Sequence, residues 1–161
     1  MIMFKQLIIA LLSLLFVTAA SADAMFQDMN GQTTLFSDLQ GKWVLINYWA
    51  SWCKTCIEEI PQINHFYENH KNNDLALFAV NYDALPIEKQ QKLIRKLNIL
   101  YPSLKEDPAM ELELGDIRGL PATFIFNPQG QLSMTLYGGQ TVKSLEELFL
   151  KLKSSENRPR Y

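Results

Sequence analysis

The chain contains two cysteines, Cys53 and Cys56, standing two residues apart. Three kinds of chemistry suit such a pair: reversible thiol-disulfide exchange, a share in a metal site, or a static cross-link. The segment Trp49-Ala50-Ser51-Trp52-Cys53-Lys54-Thr55-Cys56 follows an apolar run, Val44-Leu45-Ile46-Asn47-Tyr48. It precedes Ile57-Glu58-Glu59-Ile60-Pro61-Gln62-Ile63, where a helical pattern starts. A cysteine pair at a strand-to-helix junction is more often redox-active than structural. A cross-link over so short a loop gains little closure entropy, so a purely structural role is poorly motivated. A four-cysteine zinc site is impossible within one chain that has two cysteines. The only histidines, His65 and His70, lie more than two helical turns beyond Cys56 on the same helix. They cannot converge on the cysteines without leaving it.

The surrounding pattern supplies the elements that must position this pair. A first strand covers Trp43 to Tyr48. The helix beginning near Cys53 carries Ile57, Ile60, Ile63, Phe66 and Tyr67 at helical spacing, with Pro61 inside it as an expected kink. Its polar end is Glu68 to Asn73. Leu75 to Val80 is a second continuous apolar run, which suits a strand covered on both faces. Pro86 suits the first turn of an amphipathic helix over Ile87 to Leu97, with Ile87, Leu93, Ile94 and Leu97 inward and the Lys and Gln side chains toward solvent. Leu100 to Leu104 suits a short extended piece, and Asp107-Pro108 opens a helical turn through Leu114. After the loop Gly115 to Pro121, Ala122 to Phe126 is a third buried strand, and Gln131 to Tyr137 completes a hairpin across the turn Asn127-Pro128-Gln129-Gly130. Thr141 to Lys153 is a last amphipathic helix, and 154–161 is a polar, flexible tail. Before the first strand, Thr33 to Phe36 suits a short edge strand. The order β-α-β-α-β-β-α calls for parallel pairing in its first part and antiparallel pairing at its end, an α/β fold with a mixed central β-sheet.

A chain of 161 residues, 48% of them hydrophobic, is sized for one domain with a proper core. Fifteen basic and 17 acidic side chains are interspersed, for a formal charge of −2, and no basic block argues for nucleic acid. The N-terminus bears on compartment. Met1 to Gln6 holds one side-chain cation, Lys5, and Leu7 to Thr18 is almost wholly apolar. Small residues at A-x-A spacing follow in Ala19-Ala20-Ser21-Ala22-Asp23-Ala24. This is the pattern of a secretory signal peptide over 1–22, and cleavage after Ala24 fits as well as cleavage after Ala22. An uncleaved anchor is the alternative, although the apolar stretch is short of the roughly 20 residues of a span. No cysteine near the cleavage site offers a lipid anchor. The expected mature protein is exported, to a periplasm or its equivalent.

Tyr48-Trp49-Ala50-Ser51-Trp52-Cys53-Lys54-Thr55-Cys56, with Pro61 in the helix and Gly119-Leu120-Pro121-Ala122-Thr123-Phe124 before a strand, resembles the thioredoxin superfamily. Within it the chain is most similar to the exported TlpA/ResA/CcmG group of thiol-disulfide oxidoreductases. The resemblance covers Gln32 to Lys153 and implies a thioredoxin-like domain over 26–153. Thioredoxin's buried Asp in the first central strand is Asn47 here, and its buried Lys partner is Ala79. The exported branch instead carries a Glu three residues after the second cysteine, which is Glu59 here. Lys54-Thr55 lacks the Pro that many members carry before the second cysteine. The Glu that follows the loop proline in many CcmG-like members is Ala122, which argues against a dedicated role in cytochrome maturation.

The resemblance assigns roles residue by residue. Cys53, at the helix N-terminus, is the attacking thiolate, stabilised by backbone N–H groups and the helix dipole. Cys56, one turn on and more buried, resolves the mixed disulfide. Glu59 is expected to help move the proton of Cys56, whereas Glu58 is an ordinary exposed glutamate. Pro121 is expected to be cis and to pack beside the cysteines, exposing the Leu120 backbone to an extended substrate segment. Trp52 shapes the surface a partner meets. No cofactor and no metal is called for.

The resemblance therefore implies a monomeric reductase of specific protein disulfides, for example in cytochrome c maturation or copper-centre assembly, recharged by a membrane donor of the DsbD/CcdA type. The alternatives are a disulfide-donating oxidase or isomerase and a copper-binding module. No large helical insertion separates Asp83 from Leu120, unlike DsbA-like oxidases, and no cluster of Met or His accompanies Cys53. The surroundings of Cys53 do not match a peroxiredoxin.

Overall fold

The computed structural model describes residues 23–156. The stretch read as a signal peptide, 1–22, and the last five residues, 157–161, lie outside the described residues. The elements are β1 (Met25–Gln27), β2 (Thr33–Leu35), a 3-10 turn (Phe36–Leu39), β3 (Trp43–Trp49), α1 (Lys54–His70), β4 (Leu75–Asn81), α2 (Ile87–Lys96), β5 (Ala122–Phe126), β6 (Leu132–Tyr137) and α3 (Val142–Glu156). The main sheet has the order β4-β3-β5-β6. Its β3–β4 pairing is parallel, through the α1 crossover, and its β3–β5 and β5–β6 pairings are antiparallel.

β3 is the centre of the molecule because every one of its seven residues is buried. Side chains alternate between the two faces of a strand, and the core divides accordingly. Trp43, Leu45 and Trp49 face a cluster with Ile60, Ile63 and Phe66 of α1 and Leu145 and Phe149 of α3. Val44, Ile46 and Tyr48 face a second cluster with Phe26, Leu39, Phe78, Val80, Phe124 and Phe126. The second face is covered by the N-terminal hairpin and the segment around Leu104 to Ile117.

Several local expectations are refined. Thr33–Leu35 pairs with β1 in a separate two-stranded sheet, so it is not an edge of the main one. β1 is invisible to sequence periodicity, since only Phe26 of its three residues is buried. The extended piece after α2 lies along β4: Ala79 N–H donates to the Pro102 carbonyl and Leu104 N–H to the Ala79 carbonyl, each at 2.8 Å. On α2, Leu93, Ile94 and Leu97 do pack against the core, but Ile87 is 43% exposed. Gln90 is buried instead, its amide donating to the Leu85 carbonyl at 2.7 Å. α1 spans Pro61 within one helix, and α3 runs to Glu156, three residues into the stretch read as a flexible tail.

Phe149 ties α3 to the rest. It is 3% exposed and meets the rings of Phe66, His70 and Trp43 edge-on, with centroids at 5.6, 4.9 and 6.5 Å. Phe149→Ala is expected to cost about 3–5 kcal/mol in urea denaturation, as a cavity in a fixed core does. The folded variant should retain the thiol chemistry, because Phe149 lies on the part of α3 that packs against the far half of α1.

Candidate active site

The cysteines stand where β3 gives way to α1. Cys53 is the N-cap of α1, in extended conformation, and Cys53 and Cys56 form a disulfide with their Cα atoms 5.3 Å apart. The Cys53 Sγ accepts the Cys56 backbone N–H at 3.2 Å. That is the interaction an N-cap oxygen normally makes, and it places the sulfur at the positive end of a 17-residue helix. A thiolate released there by reduction keeps an N–H donor aimed at it. Cys53 is 7% exposed and Cys56 0%, so Cys53 is the cysteine a partner can reach, through a narrower opening than its sequence position suggests. Trp52 beside it is 70% exposed, a large apolar surface next to the reactive sulfur.

Two loops fix the turn that carries Cys53. The Asp83 carboxylate accepts the Ser51 N–H at 2.7 Å, the Ser51 hydroxyl at 3.1 Å and the Asn81 side-chain amide at 2.8 Å. Asp83 thereby ties the active-site turn to the end of β4. On the other side, the Leu120–Pro121 bond is cis. Pro121 immediately precedes β5, whose Ala122 pairs with Tyr48 of β3, so the sheet itself carries Pro121 to the strand end from which Cys53 springs. Leu120 is half-buried and packs against the cluster containing both cysteines.

Glu59 lies one turn beyond Cys56 and is 3% exposed, while Glu58 faces solvent and pairs with Lys54 at 3.5 Å. The Glu59 carboxylate accepts the Asn47 amide at 2.9 Å and the Gln140 backbone N–H at 2.9 Å. Burial pushes its pKa above the ordinary carboxylate value, and the two hydrogen bonds pull the other way. Such a group can hold or release a proton beside Cys56 nearer neutrality than a solvated carboxylate can.

The sequence did not single out Gly139, Gln140 or Asp83. Gly138 N–H donates to the Pro121 carbonyl at 2.9 Å, Gln140 N–H reaches Glu59, and a Cβ built on Gly139 would come within 2.8 Å of the Thr55 methyl. One three-residue loop therefore touches the cis-proline, the carboxylate and the residue between the cysteines. The double glycine after β6 was the available signal, but it reads equally well as a plain break. His65 and His70 stay apart from the cysteines, about 13 Å or more along α1, and His70 instead pairs with Glu146 of α3 at 2.8 Å.

Comparison with known proteins agrees with this geometry. The AhpC/TSA family model matches residues 17–135. The thiol-disulfide oxidoreductase ResA of Bacillus subtilis (strain 168) is 27% identical over 132 residues, covering 82% of this chain and 73% of the relative. ResA of Geobacillus kaustophilus is 26% identical over 137 residues, covering 85% and 78%. Among solved structures, StoA from Bacillus subtilis superposes with a TM-score of 0.68 at 22% identity, covering 81% of this chain and 98% of that one. The exposed lipoprotein thioredoxin of Streptococcus pneumoniae strain TIGR4 gives 0.68 at 22%, covering 83% and 99%. Fold and cysteine pair together define a thioredoxin-like thiol-disulfide oxidoreductase. By its family match, the chain belongs to the AhpC/TSA family.

Gly139→Ala should press on Thr55 and cost about 1–3 kcal/mol of stability, as overpacking does. Thr55→Ser, which removes the opposing methyl, should recover most of that loss in the double variant. Denaturation of the four proteins of the cycle measures the coupling, and simple additivity would show that the contact is not the cause.

Proposed function

We propose that the protein is exported and reduces disulfides of specific protein clients through Cys53 and Cys56. The observation that carries this reading is the Cys53 sulfur capping α1 with the Cys56 N–H aimed at it, between the exposed Trp52 and the loop of cis-Pro121.

In the reduced protein the Cys53 thiolate attacks a client disulfide, forming a mixed disulfide and releasing one client thiolate. Cys56 then loses its proton, with Glu59 as the nearby acceptor, and attacks Cys53. The Cys53–Cys56 disulfide forms and the second client thiol leaves. Two electrons have passed to the client, so an external dithiol donor must restore the pair, and a membrane protein of the DsbD/CcdA type suits an oxidising compartment. Trp52 and the Leu120 backbone form the docking surface for an extended client segment. Cytochrome c maturation and copper-centre assembly are client pathways that fit this chemistry.

Export is supported by the leader-like sequence of 1–22, and the contacts of the two residues after it bear on the cleavage position. Asp23 accepts the backbone N–H and hydroxyl of Ser37, and the Ala24 carbonyl accepts the Phe36 N–H at 2.8 Å. Ala24 is also buried in the second core cluster. Cleavage after Ala22 keeps these contacts, whereas cleavage after Ala24 removes them. Among the described residues, no helix is long and apolar enough to cross a membrane.

Two outcomes test the proposal. Cys53→Ser should abolish reduction of insulin disulfides, while Cys56→Ser should accumulate mixed disulfides with clients on non-reducing gels. Full activity in Cys53→Ser would remove the mechanism. Intact-mass measurement of the exported protein should give Asp23 as its first residue, and a first residue of Met25 would contradict the role given to Asp23 and Ala24.

A further inference from the structure

The mechanism leaves one buried polar side chain in the centre of β3 without a task. Asn47 is 1% exposed and sits in register between Ala79 of β4 and Thr123 of β5. Its Nδ2 donates to Glu59 Oε1 at 2.9 Å and to Thr123 Oγ1 at 3.0 Å, and its Oδ1 accepts the Tyr101 hydroxyl at 3.1 Å. Tyr101 is 2% exposed and Thr123 4%. A primary amide has two N–H donors and one carbonyl acceptor, and both donors and the carbonyl are engaged here.

We propose that Asn47 is a positioning residue for the exchange reaction: its amide holds Glu59 ionised and turns over when Glu59 takes up a proton. The part concerning exchange rests on the function proposed above. With Glu59 ionised, the carboxylate accepts from Asn47 and Gln140, Thr123 accepts from Asn47, and the Tyr101 hydroxyl donates to Asn47. With Glu59 protonated on Oε1, its new O–H meets the Asn47 N–H. Rotation of the Asn47 amide by half a turn presents Oδ1 to that O–H, and Thr123 can switch from acceptor to donor because a hydroxyl does both. Tyr101 then receives an N–H and loses the acceptor for its own proton. An unpaired buried donor is costly, so Tyr101, acting through Asn47, biases the cluster toward ionised Glu59.

The groups facing Glu59 are few. Asn47 comes from β3, Thr123 and Tyr101 stand behind it, the Gln140 N–H comes from the loop after β6, and Cys56 lies one turn back on α1. Among the described residues, no cation joins them. The Asn47–Tyr101 pair is therefore the part of the cluster that opposes burial and that side-chain substitution can remove, the Gln140 donor being backbone.

The test uses the oxidised full-length protein and two variants, Tyr101→Phe and Asn47→Leu, neither of which adds a charge beside Glu59. The side-chain carboxyl 13C resonance of Glu59, assigned by its loss in Glu59→Gln, is followed against pH. Both variants, Tyr101→Phe and the uncharged isostere Asn47→Leu, should raise the Glu59 midpoint by about one pH unit, the scale of one charge-assisted hydrogen bond. The pH profile of mixed-disulfide resolution by Cys56 should move upward with it. An unchanged Glu59 midpoint in folded Tyr101→Phe and Asn47→Leu overturns the inference, as does a shifted midpoint with an unmoved resolution profile. If wild-type protein fails to exchange disulfides at any pH, the proposed function falls, while the carboxyl titration still decides whether Asn47 and Tyr101 govern Glu59.

Discussion

The structure depends on a buried carboxylate that meets no cation among the described residues. Glu59 projects from α1 toward the central strand, one turn from Cys56, and its carboxylate accepts two N–H donors. Removing a carboxylate from water is expensive unless hydrogen bonds replace the lost hydration. The surrounding elements are placed to supply them: β3 contributes Asn47, β5 supports Asn47 through Thr123, and the loop after β6 contributes the Gln140 N–H. The sheet register that buries the core therefore also sets the electrostatics around the cysteine pair.

Rigidity follows from the same arrangement. β3 is hydrogen-bonded on both edges and buried on both faces, so the strand end that leads into Cys53 has little freedom. The turn after it is clamped by Asp83, and the helix after it begins with a sulfur as N-cap. Pre-organised donors cost no rearrangement at the moment a thiolate forms. Trp52 adds a large exposed apolar surface beside a sulfur that is itself nearly covered.

Much of this was legible in the sequence because it rests on patterns that side chains carry. The two continuous apolar runs became the parallel pair β3 and β4, and the strand–Cys-x-x-Cys–helix junction and the hairpin of β5 and β6 stand where their residues place them. The cis bond at Pro121 followed from the family resemblance. What was missed has physical reasons. Gln140 acts through its backbone N–H, which leaves no mark on residue type. Gly139 matters for an absent side chain at one close approach. Asn47 was noticed as a departure from thioredoxin, but its partners Tyr101 and Thr123 lie 54 and 76 residues away in sequence. Ile87 and Gln90 exchanged roles because a local amide-to-carbonyl bond made burying the polar residue affordable.

A reductase must hold its electrons less tightly than its clients do, so the direction of the chemistry is a statement about potential. The most direct measurement is the reduction potential of the Cys53–Cys56 couple at pH 7, obtained by equilibration against a dithiol buffer of known potential. A value near about −270 mV is expected for a pair that reduces client disulfides, whereas a value near about −120 mV would mark a disulfide donor and contradict the direction proposed here.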